Sequence, residues 1–180
     1  MLKTCDKCQL AIENNFTPVK PRGNIHGGLF FIGEAPGYKE KKLGYTFVGK
    51  AGTFLQQYVN KYNLNSISYF TNAIKCRPPR NRTPYMDEIL ICRQHLLKEI
   101  AEGKPKVIVL LGNSAVNSFF KAEINGITKL NNRLIKCGDS YILFGFHPSY
   151  IMREKDREYL YDNMFSIIYS LSRIKINKYL

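Results

Sequence analysis

Cys5 and Cys8 form a C-x-x-C step, and Cys76 and Cys92 lie far downstream. Two thiolates at that spacing can grip one metal, but a tetrahedral zinc site or an iron–sulfur cubane needs four soft ligands. A quartet built this way would tie the N-terminal segment to the Lys75-Cys76-Arg77-Pro78-Pro79 stretch and to a helical pattern around Cys92. The competing assignment is five unrelated reduced thiols. Three other residues stand at the ends of apolar runs, where chemistry is usually placed. Glu34 offers a carboxylate that can orient water or face a developing cation. Asn72 offers one amide that both donates and accepts. His147 offers a ring donor for developing negative charge.

Elements that hold these residues can be read around them. Leu29-Phe30-Phe31-Ile32 closes at Gly33 and reads as a strand buried on both faces. Ser68 to Ile74, Val107 to Leu111 and Tyr141 to Phe146 read as three more. Helical patterns lie between them, over Ala51–Tyr62, over Ser114–Lys121 and over a long terminal stretch from Asp156 to Ile174. Another opens at Thr83-Pro84, as an N-cap with proline at the first helical position. It carries Ile89, Cys92, Leu96 and Ile100 on one inward face. Alternating strands and helices predict a three-layer α/β/α fold around a mostly parallel, four-stranded sheet. In such folds the ligand site forms beyond the C-terminal strand ends. Gly33, Asn72, Gly112 and His147 all fall at that edge.

The 180 residues show no repeat, linker or low-complexity tract, so one domain spanning 1–180 is expected. Lys and Arg number 27 against 14 Asp and Glu, a net charge of +13, which favours a polyanionic partner such as nucleic acid. No signal peptide or membrane-spanning run is expected, since Met1-Leu2-Lys3-Thr4 leads straight into Cys5. An odd cysteine count argues against a disulfide framework and for a reducing, cytoplasmic setting.

Gly33-Glu34-Ala35-Pro36-Gly37, Phe47-Val48-Gly49-Lys50-Ala51-Gly52, Thr71-Asn72-Ala73-Ile74-Lys75-Cys76-Arg77-Pro78-Pro79 and His147-Pro148-Ser149-Tyr150 occur in that order. Together with the cysteine quartet they resemble the family 4 uracil-DNA glycosylases, the iron–sulfur branch of that superfamily, over nearly the whole chain. The resemblance implies a structural [4Fe-4S] cluster on Cys5, Cys8, Cys76 and Cys92, with zinc at the same cysteines as the fallback that spacing alone permits. It implies excision of uracil from single- or double-stranded DNA by a monomeric, monofunctional enzyme of base excision repair. It also implies a uracil pocket lined by Gly33, Glu34, Ala35, Phe47, Asn72 and His147.

Residue chemistry agrees with that implication. An enzyme acting on a base must take it out of the stack and read its Watson–Crick edge. Phe47, in a glycine-flanked loop, can stack on the base, although an ordinary core phenylalanine is the competing assignment. The amide of Asn72 matches O4 and N3–H of uracil, and cytosine reverses that pattern. His147 would donate to O2 as the base leaves. Glu34 is the natural carboxylate beside the sugar. The better-known branch has an aspartate one position later, where this chain has Ala35, so Glu40 is a second candidate to assist water. Tyr38 and Glu40 are both candidates to crowd C5 and exclude thymine.

Around the pocket, Arg77, Arg80, Arg82 and Lys75 are expected to form a basic rim on phosphates. Tyr150, Ile151 and Met152 are expected to wedge into the duplex, with Arg153 on a phosphate. A sister group captures uracil covalently through a histidine in an inserted loop. Here the segment from Cys76 to Thr83 is short and lacks histidine, which favours turnover. His26 reads as a loop residue, His95 as a helix-surface residue, and Cys137 as a buried or strand-edge thiol. Two rival classes remain open from residues alone. One is a non-catalytic uracil- or DNA-binding module that keeps the pocket and the cluster. The other is a zinc-stabilised nucleic-acid adaptor.

Overall fold

The structure, a computed structural model, describes residues 4–173. Its elements run, in chain order, α1 (Gln9–Glu13), β1 (Arg22–Gly23), β2 (Leu29–Gly33), α2 (Tyr38–Leu43), α3 (Lys50–Lys61), β3 (Ser68–Asn72), α4 (Met86–Gly103), β4 (Val107–Leu111), α5 (Asn113–Phe120), α6 (Ile127–Leu130), β5 (Leu134–Cys137), β6 (Ser140–Gly145), α7 (Pro148–Ile151) and α8 (Tyr159–Arg173). The sheet has six strands in the order β1-β3-β2-β4-β6-β5. The four expected strands are its parallel centre. The strand count is corrected upward by two antiparallel edges, β1 and β5. Neither carries the apolar signature that marks the central strands. β1 has only two residues, and all four residues of β5 are exposed.

Residues β2, β3 and β4 are buried throughout, as expected for strands covered on both faces. Their side chains alternate between two layers. Phe31, Phe70, Val109 and Leu143 meet Leu55 and Val59 of α3 and Phe165 and Ile168 of α8. Phe30, Ile32, Ile108, Leu110 and Ile142 face the other way, onto Leu96 of α4 and Val116 of α5. A third, smaller group joins Leu10, Ile74, Cys76 and Ile89 with Ala35, Cys8 and Cys92 packed against it. It fastens α1 to the segment after β3.

Two helix starts differ from expectation. α4 begins after Thr83-Pro84, with Tyr85 at the N-cap, because Glu88 Oε2 accepts the Tyr85 N–H at 2.8 Å. That is the reaching-back half of a capping box. Arg82 holds the same carboxylate through two nitrogens, at 2.8 and 2.6 Å. The terminal helix starts at Tyr159, after a short 3-10 turn over Lys155–Arg157, and the expected end at Ile174 lies outside the described residues. No described helix is long and apolar enough to cross a membrane.

Candidate active site and cysteine centre

Parallel pairing sets Gly33 beside Asn72, and Leu111 beside Gly145, so the four central strands end nearly flush. Gly33 is where the site closes up. A Cβ there would lie 2.6 Å from Asn72 Oδ1 and 2.7 Å from Phe47 Cζ. Only glycine lets the amide and the ring tip approach the same strand end. Asn72 is 3% exposed, and among the described residues its amide makes no hydrogen bond. Neither amide atom is sealed off without a partner, as Ser118 Oγ and Asn132 Oδ1 are, so the amide stays accessible to a ligand that supplies both a donor and an acceptor.

Phe47 has φ +54°, the left-handed region that a bulky residue rarely enters. Such strain costs on the order of 1–3 kcal/mol and survives only where neighbours impose it. Three neighbours do so. Its carbonyl presses on Gly52, where a Cβ would lie 2.0 Å from the oxygen. Arg22 donates from Nε to Thr46 O at 3.0 Å and from Nη2 to Phe47 O at 3.2 Å. Glu40 Oε1 accepts the N–H of Gly49 at 2.6 Å and so fixes the far end of the loop. Hydrogen bonds from a charged donor contribute about 1.5–3 kcal/mol each, enough to offset the strain. The ring is buried, with its centroid 5.9 Å from that of Phe70. Core packing and the approach to Gly33 are therefore both roles of one residue.

His147 follows β6 and caps α7. Its Nδ1 lies 2.8 Å from Ser149 Oγ and accepts the Ser149 N–H at 3.3 Å. An acceptor Nδ1 leaves the proton on Nε2. Burial, aided by the charge of Arg153, pushes the ring's pKa down to about 4. At neutral pH His147 is thus an uncharged donor with Nε2–H free for a ligand.

Glu34 leaves the same strand end as Gly33 but turns toward the start of α5. Ser114 Oγ donates to its Oε2 at 2.7 Å. Burial raises the carboxyl above its usual pKa, and the bond from Ser114 opposes the shift. It opens on a polar cavity of about 260 Å³ shared with Asn113, Ser114 and Glu123. Ser114 went unnoticed in the sequence because nothing there shows that α5 starts opposite Glu34. Glu40 is differently employed. Its carboxylate sits between the turns at Gly37 and Gly49, where added Cβ atoms would lie 2.9 and 2.8 Å from it. That carboxylate is committed to the backbone. Tyr38 is 65% exposed with Arg77 over its ring at 5.5 Å, so its ring faces outward. Ala35 turns its methyl toward the Cys76 group, which leaves only its backbone for a pocket.

Cys5, Cys8, Cys76 and Cys92 line one small cavity with His95. No three His, Cys, Asp or Glu side chains among the described residues stand close enough together to hold a single ion as placed. The donor set nevertheless fits a polynuclear cluster, whose four thiolates surround a body much larger than one ion. Burial and the neighbouring cysteines drive the Cys76 thiol up to about 12. Burial lifts Cys92 to about 11, against the charge and N–H of Lys75. Thiols held protonated in this way exchange protons for metal on binding. The Lys75 N–H also points at Cys92 Sγ, at 3.3 Å.

Several peripheral assignments change. Lys75 does not join a basic rim: its Nζ is buried on Thr71 Oγ1 (2.7 Å), Asn72 O (2.9 Å) and Glu99 Oε2 (2.9 Å). It thereby braces the Asn72 backbone against α4. His95 is buried, not a helix-surface residue, and its Nε2 lies 3.5 Å from Cys5 Sγ. The helical period alone did not reveal that the segment at Cys5 would lie against it. Ile151 cannot act as a wedge where it stands, because it is 1% exposed and belongs to the core. Tyr150 stacks on Phe146 with centroids 4.5 Å apart and takes a hydrogen bond from Arg157, while Met152 is partly exposed and Arg153 is exposed. Arg82 is spent on Glu88 and on the Tyr85 ring at 3.8 Å. Arg77 is exposed enough to reach outward although Nε bonds Asn81 Oδ1 at 2.7 Å, and Arg80 is exposed. His26 lies in an exposed turn as expected, and Cys137 is an exposed thiol on the edge strand β5.

Comparison with known proteins identifies the family. The family described as the uracil DNA glycosylase superfamily matches residues 20–170. A type-4 uracil-DNA glycosylase of Thermotoga maritima is 36% identical over 159 residues, spanning 87% of this chain and 82% of that protein. One from Pyrobaculum aerophilum is 32% identical over 163 residues, spanning 86% and 82%. Another, from Saccharolobus solfataricus, is 40% identical over 123 residues, spanning 67% and 56%.

Proposed function

The chain belongs to the uracil DNA glycosylase superfamily, and on that footing we propose how its residues divide the work of removing uracil from DNA. The enzyme hydrolyses the N-glycosidic bond and leaves an abasic site for base excision repair. The observation that carries the assignment of roles is the meeting of Asn72, Phe47 and Gly33 at one strand end, with a neutral His147 two strands away.

A flipped uracil stacks on Phe47, a contact worth roughly 1–3 kcal/mol. Asn72 Nδ2–H donates to O4, and Oδ1 accepts N3–H. Backbone groups of Glu34 and Ala35 border the base from below. As the C1′–N1 bond breaks, electrons move onto the base and O2 becomes anionic. His147 Nε2–H meets that charge, and a single well-placed donor of this kind is worth about 3–4 kcal/mol. Glu34, held by Ser114, faces the cationic sugar and accepts a proton from the water whose oxygen bonds to C1′. Glu40 acts indirectly, by holding the loop of Phe47. It is also the better placed of the two candidates for limiting space at C5, because Tyr38 points outward.

Cys5, Cys8, Cys76 and Cys92 hold the [4Fe-4S] cluster. Its role is structural: it clasps α1, the segment after Asn72 and α4. Lys75 transmits that clasp to the Asn72 backbone. Arg77, Arg80 and Arg153 approach phosphates, and Met152 with the rim of Tyr150 approaches the gap in the strand.

The clasp can be tested on its own. Cys76→Ala should yield a colourless, poorly soluble protein with weakened DNA binding, while any residual excision keeps its preference for uracil over cytosine. A colourless variant with full solubility and full activity would remove the structural role. The assignment of roles is tested by following free uracil release in a single turnover. A wild-type protein that binds uracil-containing DNA without releasing base would instead be a binding module.

A further inference from the structure

Arg22 lies outside all the sequence motifs, in the two-residue edge strand β1, yet it is built into the back of the base site. Its guanidinium reaches three acceptors. Nε donates to Thr46 O at 3.0 Å, and Nη2 donates to Phe47 O at 3.2 Å and to Gln56 Oε1 at 2.9 Å. Its plane covers the Phe70 ring, 4.2 Å from the centroid, and Phe70 is the ring against which Phe47 packs. Among the described residues Arg22 forms no ion pair with a carboxylate. A half-buried cation that meets only carbonyls, an amide and a ring is costly to place, and burial lowers its pKa accordingly.

The carbonyls it meets are those of Thr46 and Phe47, on either side of the left-handed turn at Phe47. Gly52 lets the Phe47 carbonyl come close to α3, and Arg22 holds that carbonyl there. We infer that Arg22 is a positioning residue for base capture: its fork locks the Phe47 backbone so that the ring tip stays beside Gly33 and Asn72. This rests on the reading of Phe47 as the surface on which uracil stacks. Lysine cannot substitute, because one ammonium cannot span two carbonyls and an amide while lying flat on an aromatic ring.

Because stacking acts on the bound base before the bond breaks, loss of Arg22 should raise KM more than it lowers kcat. The experiment is a double-mutant cycle on excision from a uracil-containing oligonucleotide, with Arg22→Gln, Phe47→Ala and both together. Arg22→Gln alone should lower kcat/KM about tenfold, the least that a lost charge-assisted hydrogen bond implies. In the Phe47→Ala background the same change should cost almost nothing more, since the ring it positions is gone. Arg22→Lys should recover little, and it replaces Arg22→Gln in the cycle if the glutamine variant does not fold. Equal losses in both backgrounds, full recovery by lysine, or an unchanged KM would overturn the inference. Failure of the uracil reading would look different, because the wild-type protein itself would release no base.

Discussion

His147→Ala is expected to slow single-turnover excision of uracil by roughly 10²–10³-fold, the scale of one lost oxyanion donor. In the proposed role the imidazole meets the leaving base with Nε2–H, since Nδ1 is taken up by Ser149. Its donor bond strengthens only as charge gathers at O2, so its value belongs to the transition state. Affinity for DNA carrying a non-cleavable uracil analogue should fall far less, since phosphate contacts supply most of it. The pH profile gives an independent check. With its pKa at about 4, His147 is already neutral from pH 5 upward and contributes no inflection there. The acid limb should instead follow Glu34, whose pKa is raised by burial, with the rate rising as that carboxyl ionises. Equal losses of excision and of binding in His147→Ala would make it a binding residue.

Asn72→Asp should be the most damaging change to base choice. It keeps the shape of the side chain but replaces the amide donor with an acceptor facing O4 of uracil. A site built to hydrogen-bond one edge rejects a mismatched edge by about 10⁴-fold, because buried groups are left unpaired. The wild-type amide has no other partner among the described residues, so nothing nearby can compensate. Excision of uracil should therefore fall by about 10³–10⁴-fold, and a small activity on cytosine, whose amine suits an acceptor, can emerge. The measurement is kcat/KM on matched oligonucleotides containing uracil or cytosine. Undiminished uracil activity would remove Asn72 from recognition.

The parts of this molecule that the sequence disclosed are those with a local signature. Continuous apolar runs marked the four central strands because each is buried on two faces. Glycine, asparagine and histidine at their ends then located the crevice. What stayed hidden depends on contacts between distant segments. β1 has only two residues and β5 is exposed along its length, so neither shows the continuous buried run that marks the central strands. Lys75 reads as one more cation beside three arginines until Glu99, on the next helix, is found against it. His95 looks like a polar position on α4 because the cover supplied by the N-terminal segment is not visible in a helical period. Ile151 sits in a plausible wedge segment, but a single turn of α7 rotates it into the core. Arg22 and Ser114 act on Phe47 and Glu34 across 25 and 80 residues of chain, separations at which sequence alone shows no connection.

The proposed chemistry is that this strand-end site breaks the glycosidic bond of uracil in DNA. A labelled oligonucleotide with one uracil, incubated with excess protein and then heated in alkali, tests it most directly. Strand scission is expected at the uracil position only after alkali, with matched cytosine and thymine strands left intact. An unbroken uracil strand, from protein that binds it and carries its cluster, would show that the site does not cleave uracil from DNA.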